Sequence, residues 1–225
     1  MGSGYYTVKY IMEIDHLFVF SDNHGEEADG LVALGFTEGS SRVHPGQGTV
    51  NRKFYVDNGF IEILWVQNEE EMKNGPAREI SLWERSRTKA TGASPFGLCL
   101  VNDETTDELF SSSTKYQPAY FPQGMAIDVL AHPDQSYLPW TFRLPYRGRK
   151  KHSEPTCHDN GIQKLTRATF EMPTSDLNHR FITYFQEEDS IRFTSAEDYH
   201  LIIEFDDQKQ GKHQTFSELR LTITY

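Results

Sequence analysis

Residues 44–66 read HPGQGTVNRKFYVDNGFIEILWV, and this stretch decides the fold. It combines a glycine-rich turn, a short strand, a tight turn at residues 57–59 and a mainly apolar run at residues 60–66. The last run predicts a strand that is buried on both faces. One carboxylate, Glu62, stands at its centre, and burial of an ionised carboxylate costs several kcal/mol unless a cation lies beside it. Either a basic side chain or a bound metal ion must therefore meet Glu62.

A second strand-like run lies upstream, at residues 12–20, and carries a histidine, His16, among apolar residues. Side chains alternate along a strand, so His16 shares a face with Phe18, and Glu62 shares a face with Leu64. If the two strands are neighbours in one sheet, His16 and Glu62 converge on one point. An imidazole and a carboxylate together suit a divalent first-row metal ion.

The composition excludes several classes of function. The chain has 225 residues, of which 37% are hydrophobic, so it can bury a sizeable core. Its formal net charge of −11 argues against a nucleic-acid partner, because phosphate contacts need a clustered basic surface. No apolar run approaches the roughly 20 residues that span a bilayer, so no membrane partner is expected. Two cysteines do not make a disulfide framework, and a cytoplasmic location is expected.

The order of the predicted elements indicates two copies of one β-α-β-β-β unit. The first copy, with a helix after it, occupies residues 12–92, and residues 161–225 repeat the order as a second copy. Residues 93–160 between them are less regular and are interpreted as a partial module. Their segment 138–146 contains two prolines, which central strands normally exclude. Together these parts are expected to make one compact unit.

Four segments carry a resemblance to a known family: IDHLFVF at 14–20, ALGF at 33–36, HPGQGTVN at 44–51 and FIEIL at 60–64. They resemble the glyoxalase-like branch of the vicinal oxygen chelate (glyoxalase, bleomycin resistance and dioxygenase) superfamily. The resemblance implies an α+β fold in which paired βαβββ modules form curved mixed sheets around a central cavity, with helices on the outside. It also implies that metal ligands come from the first and fourth strands, where His16 and Glu62 stand.

The same resemblance implies roles for other polar residues of the first module. His44 and Asn51 match cavity-facing positions, where they are expected to contact the substrate. Either His44 or Glu62 would move a proton, and Asn51 would orient the substrate. A purely structural interpretation stays open for each residue. His44 could be a loop histidine, and Glu62 could form a buried ion pair with Lys53 or with an arginine.

The expected metal site is incomplete. Its ligands would be His16 and Glu62, and the ion would be Zn, Ni, Mn or Fe. A catalytic metal usually has three protein ligands, and Gly97 or Arg167 stands where the second half should match His16. Neither side chain binds a metal, so a form of the protein without a metal stays open.

Basic side chains of the second half raise the question of an anionic substrate. Arg167 and Arg220 each share a predicted strand face with a threonine. If these faces line the cavity, the two guanidinium groups would bind a small anion, because arginine forms bidentate pairs with carboxylate and phosphate. The alternative is a polar sheet face turned to solvent. The basic run at residues 147–151 is interpreted as a solvated loop, with an anion-binding patch as its alternative.

Two functions from different classes follow. The leading hypothesis is a metal-assisted lyase, isomerase or dioxygenase that acts on a small oxygen-bearing organic substrate. The alternative is a metal-free protein of the same fold that binds and sequesters a small molecule. The sequence leaves open whether the modules pair within one chain or across a homodimer.

Overall fold

The first module of the fold is a complete βαβββ unit. The computed structural model describes residues 11–225. The elements of this module are β1 (Ile14–Phe20), α1 (Asp29–Ala33), β2 (Arg42–His44), β3 (Thr49–Val56) and β4 (Gly59–Val66). Three short helices follow it: α2 (Glu69–Asn74), α3 (Leu82–Arg85) and α4 (Thr88–Thr91). Within the described range, no helix is both long enough and apolar enough to cross a bilayer.

The partner of this module is the middle of the chain. Its strands are β5 (Phe96–Asn102), β6 (Thr114–Tyr116), β7 (Ile127–Leu130) and β8 (Trp140–Arg147). β5 lies antiparallel to β1, and β8 lies parallel to β5 just as β4 lies parallel to β1. One eight-stranded sheet results, in the order β2-β3-β4-β1-β5-β8-β7-β6. The predicted pairing of βαβββ modules in curled mixed sheets is therefore confirmed, within a single chain.

The sequence leaves open which segment pairs with the first module, and in the structure the middle segment does so. The expected second copy, at residues 161–225, forms a separate sheet instead. β5 is buried along its whole length, so both of its faces need a covering layer, and the centre of the large sheet supplies one. The division of the chain into domains after residues 92 and 160 stays a prediction.

The second sheet has five strands and packs on the back of the first. Its elements are β9 (Leu165–Met172), α5 (Arg180–Thr183), β10 (Ile191–Ser195), β11 (His200–Phe205), β12 (His213–Phe216) and β13 (Leu221–Thr224). The strand order is β10-β9-β11-β13-β12. A central antiparallel pair, β9 and β11, is flanked by parallel partners, as β1 and β5 are in the large sheet.

Alternation along the central strands assigns each side chain to one of two cores. Leu17 and Ile63, both 0% exposed, face the five-stranded sheet and share a core with its Phe170. Phe18 and Leu64 face the other way and belong to a second apolar cluster. The expectation that the Glu62 strand is buried on both faces is therefore correct, and the second face is the one that carries the site.

The prolines of residues 138–146 do not keep β8 out of the sheet centre. Pairing with β7 ends at Arg143, two residues before Pro145. On the other side the register with β5 shifts between Leu100 and Asn102, which is the mark of a bulge. Pro145 therefore occupies a position where no ladder hydrogen bond is required of it.

Candidate functional site

A cavity of about 330 Å³ lies on the face of the large sheet that turns away from the small sheet. Its size is that of a pocket for a small organic molecule. Strand register builds its floor as two rows of side chains that cross five strands. The first row consists of Lys53, Glu62, Phe18, Gly97 and Trp140. The second row consists of Tyr55, Phe60, His16, Cys99 and Phe142. His16 and Glu62 thus stand on neighbouring strands, in adjacent rows.

The Glu62 carboxylate is buried and is held by an amide rather than by a cation. The side-chain amide of Asn51 donates a hydrogen bond to Oε1 of Glu62. The backbone N–H of Arg42 donates to Oδ1 of Asn51 at 2.7 Å, which turns the amide nitrogen toward Glu62. The second oxygen, Oε2, lies 3.7 Å from Nε2 of His16, too far for a hydrogen bond. Oε2 therefore keeps its lone pairs for a bound molecule.

His16 is oriented by the residue before it. Its Nδ1 lies 2.6 Å from Oδ1 of Asp15. Burial raises the pKa of Asp15, but the hydrogen bond from His16 and the charges of His16, Arg149 and His152 together hold that pKa below its ordinary value. Asp15 is thus a carboxylate, so Nδ1 of His16 carries the shared proton and Nε2 is the atom left near Glu62. The ring also stacks on Phe60, with 4.2 Å between centroids.

His44 lines the same cavity as a neutral imidazole. Its Nδ1 lies 2.9 Å from the hydroxyl of Thr49, which also accepts from Nε2 of Gln47 at 2.9 Å. Gln47 in turn accepts from the hydroxyl of Tyr120 at 3.1 Å. Burial lowers the pKa of His44, and this effect outweighs the nearby charge of Glu62. His44 is therefore part of a hydrogen-bonded wall and is not the ionic partner of Glu62.

The two arginines expected on the opposite wall lie elsewhere. Arg167 belongs to the five-stranded sheet, where it binds Glu204 at 3.1 Å and donates to the carbonyl of Asp189 at 2.8 Å. Arg220 ends a 3₁₀ turn just before β13, with φ of 51°. Neither residue is among those that line the cavity. The reason is topological, because the wall that faces the first module comes from β8.

Of the cations at the cavity, only Lys53 was named individually from the sequence, as a possible ion-pair partner of Glu62. Arg42 and Lys53 line it, and so do Arg149, Lys150 and Lys151 of the basic run that was interpreted as a solvated loop. A signal for the first two was present. Arg42 precedes His44 by two residues, and Lys53 follows Asn51 by two, so alternation alone places each pair on one face.

The donor set falls short of a catalytic metal site. Among the described residues, the group of three with ligand atoms within 4.8 Å of one another is Asp15, His16 and Cys99. Burial raises the pKa of Cys99 well above its ordinary value, so the thiol keeps its proton, and Asp15 already binds Nδ1 of His16. His16 and Glu62 form a second candidate pair, which no third ligand of the described chain completes. Such a site usually needs three.

A physical reason for the missing ligand lies at Gly97. A β-carbon at this position would overlap the ring of Phe18, which covers the place where a ligand from the second module would stand. Next to it, the face of β8 presents Trp140, Phe142 and Leu144 to the cavity. The middle segment of the chain therefore contributes an apolar wall in place of polar metal ligands.

Comparison with known proteins identifies the family and a solved structure of similar fold. The sequence model of a glyoxalase-like domain family matches residues 14–183, more than half of the chain. The fold is similar to a solved structure of a hypothetical protein from Staphylococcus aureus, with a TM-score of 0.57 at 12% identity, over 95% of this chain and 99% of that one. A hypothetical protein from Bacillus halodurans C-125 aligns with a TM-score of 0.39 at 12% identity, over 63% of this chain and 96% of that one. No curated protein sequence matches.

Proposed function

Because the chain belongs to the glyoxalase-like domain family, we propose that its cavity binds a small oxygen-bearing organic molecule and that Glu62 transfers a proton on it. The observation that supports this most is the state of the Glu62 carboxylate. It is buried, it is fixed at Oε1 by Asn51, and its Oε2 lies at a cavity with no hydrogen bond to any residue of 11–225. A positioned base of this kind needs no metal for proton transfer.

The step begins with a C–H bond next to a carbonyl group of the bound molecule. Glu62 Oε2 takes the proton, and the electron pair of that bond becomes an enolate. The same carboxyl group then returns the proton to a neighbouring atom, so the sum of the reaction is an isomerisation. Lys53, which stands across from Glu62 in the strand pairing, supplies positive charge for the enolate oxygen.

His16 and Asn51 keep this carboxylate in position. Asn51 binds one oxygen, so Glu62 cannot turn away from the cavity. His16 presents Nε2 near the other oxygen, and Asp15 prevents its ring from flipping. Because the partners of Glu62 are already oriented, proton transfer to its carboxylate needs little reorganisation energy.

The test is solvent exchange. Small carbonyl compounds with an acidic C–H bond are incubated with the protein in D₂O, and deuterium incorporation is followed by NMR. Glu62→Gln keeps the shape and the acceptor for Asn51 but removes the base, so exchange should fall by about 10²-fold or more. The matched control is Glu70→Gln, an exposed residue on α2. Equal exchange rates in wild type and Glu62→Gln would refute the proposal.

A second candidate is a protein that binds and sequesters its ligand without turnover. The apolar wall of Trp140, Phe142 and Leu144, at the place of the missing ligands, favours it. In that case a compound binds to wild type and Glu62→Gln alike, and neither protein exchanges deuterium into it.

A further inference from the structure

The cavity has two unlike halves, and the strand order explains why. Strands β2 and β3 form one end of the large sheet and bring Arg42, His44 and Lys53 to the cavity. The far wall comes from β8, where Trp140 and Phe142 pack with 4.6 Å between ring centroids. A molecule that fills the cavity therefore meets cations at one end and apolar rings at the other.

Lys53 is a partly buried cation near two carboxylates, Glu62 and Glu154, whose charges act on it without forming an ion pair. It stands directly across from Glu62, but within the described chain no carboxylate oxygen lies in ion-pair range of its Nζ. Glu62 instead directs its oxygens toward Asn51 and His16. The ammonium lies 5.4 Å from the centroid of the Tyr55 ring. Burial lowers the pKa of Lys53, and a bound anion would offset that cost.

Arg42 is a second cation at the cavity, and unlike Lys53 it is exposed. Its guanidinium lies 4.7 Å above the ring of Tyr120, and the described residues place no carboxylate within ion-pair distance of it. The charge of Arg42 therefore stays available to an anion in the cavity.

The surroundings strengthen the contrast. The chain carries a formal net charge of −11, yet exposed Lys150 and Lys151 add two more cations at the mouth of this one cavity. Five cations line the cavity against two carboxylates, Asp15 and Glu62. An excess of positive charge in a cleft raises the local concentration of small anions.

We propose that the cavity takes a small organic acid, with its anionic group bound between Lys53 and Arg42 and its apolar body extended toward Trp140, Phe142 and Leu144. The inference rests on the proposed use of this same cavity and names its ligand class. Carboxylate and phosphate share the required chemistry, since both accept charge-assisted hydrogen bonds from lysine and arginine.

The experiment compares matched probes by titration calorimetry. Cinnamate and cinnamamide share one aromatic body and differ in charge, and phenyl phosphate represents the other anion. Cinnamate should bind about tenfold more tightly than cinnamamide, or better, because a hydrogen bond to a charged group carries that weight. If phenyl phosphate binds more tightly than cinnamate, the anion is a phosphate, and the proposal holds in that form.

Variants locate the anion. Lys53→Met should lower the affinity for cinnamate about tenfold and leave the affinity for cinnamamide unchanged. Lys53→Arg, which keeps the charge, should retain cinnamate binding. Lys89→Met, which removes an exposed cation on α4, should change nothing. Equal binding of cinnamate and cinnamamide, no binding of either anion at millimolar concentration, or an unchanged affinity in Lys53→Met would overturn the proposal.

The outcome is separable from that of the proton-transfer proposal. Glu62→Gln should retain or improve cinnamate binding, because it removes a negative charge from the cavity. Anion-selective binding without any deuterium exchange would therefore support the ligand class and reject Glu62 as a base.

Discussion

Asn51 donates a hydrogen bond to Glu62 diagonally across the β3–β4 pair, although the residue directly opposite Glu62 is Lys53. The diagonal choice decides what the site can do. A direct ion pair with Lys53 would have neutralised both charges, and neither group would then be available to a bound molecule. With Asn51 as the partner of Glu62, no described residue donates a hydrogen bond to Oε2 of Glu62 or forms an ion pair with Lys53.

The Asn51–Glu62 contact should be visible in stability. Asn51→Leu preserves volume but leaves a buried carboxylate without its donor, so the free energy of unfolding should fall by about 1–3 kcal/mol. Urea denaturation at pH 7 measures it. In a Glu62→Leu background the same substitution should cost little, since the carboxylate is gone. Additive effects of the two changes would show that the contact carries no coupling energy.

Metal content should be low. Inductively coupled plasma mass spectrometry after dialysis against Mn²⁺, Fe²⁺, Ni²⁺ and Zn²⁺ should find far less than one equivalent in wild type and in Glu62→Gln. A chelator should leave the melting temperature unchanged, whereas a bound ion at a hundredfold excess over its dissociation constant would add about 2.7 kcal/mol. Stoichiometric metal that disappears in Glu62→Gln would restore the metal-assisted hypothesis.

Gly97 should be intolerant of any side chain. A β-carbon there would overlap the Phe18 ring, so Gly97→Ala should destabilise the fold by about 1–3 kcal/mol. Phe18→Leu shortens the obstructing side chain, and the double variant should recover part of the loss relative to Phe18→Leu alone. Thermal denaturation of the four proteins gives the comparison, and a stable Gly97→Ala protein with an unchanged melting temperature would contradict it.

Acid should destabilise the protein through His132. Burial, together with the nearby charges of Arg85 and His179, lowers its pKa to about 3, and its buried Nε2 has no hydrogen-bond partner in the described part of the chain. His132 binds a proton near pH 6.5 in the unfolded chain but stays neutral in the folded chain. The free energy of unfolding therefore decreases as the pH falls below 6.5. From pH 7 to pH 5 the loss from this group amounts to about 2 kcal/mol. His132→Asn, which tolerates the positive φ of 48°, should show a correspondingly shallower pH dependence of unfolding.

Arg167 should contribute to the stability of the fold and not to anion binding. Arg167→Met leaves Glu204, 8% exposed, without its ionic partner and should lower the free energy of unfolding by about 1–3 kcal/mol. Cinnamate affinity should match that of wild type, because the residue lies on the other sheet. A loss of cinnamate binding comparable with that of Lys53→Met would place the anion site where the sequence alone had suggested it.

Much of the first module was predictable because its signals are local. Alternation along residues 12–20 and 60–66 placed His16 and Glu62 on one face of neighbouring strands, and their side chains indeed approach to 3.7 Å. The segments that carry the family resemblance lie within this module as well. Each of these inferences needs only the period of a strand and the cost of burying a charge.

Local sequence patterns are thus enough to predict the βαβββ unit, the family and the buried Glu62, whereas the residues that face Glu62 depend on long-range packing. The sequence predicts a strand at both β5 and β9, and no local pattern says which of them pairs with β1. That choice depends on the fit of whole surfaces, such as the Phe18 ring over Gly97, between segments far apart in the chain. Because β5 is the partner of β1, the wall opposite Glu62 comes from β8 and is apolar, and Arg167 and Arg220 do not line the cavity. Strand pairing is set by long-range packing, which no local period encodes.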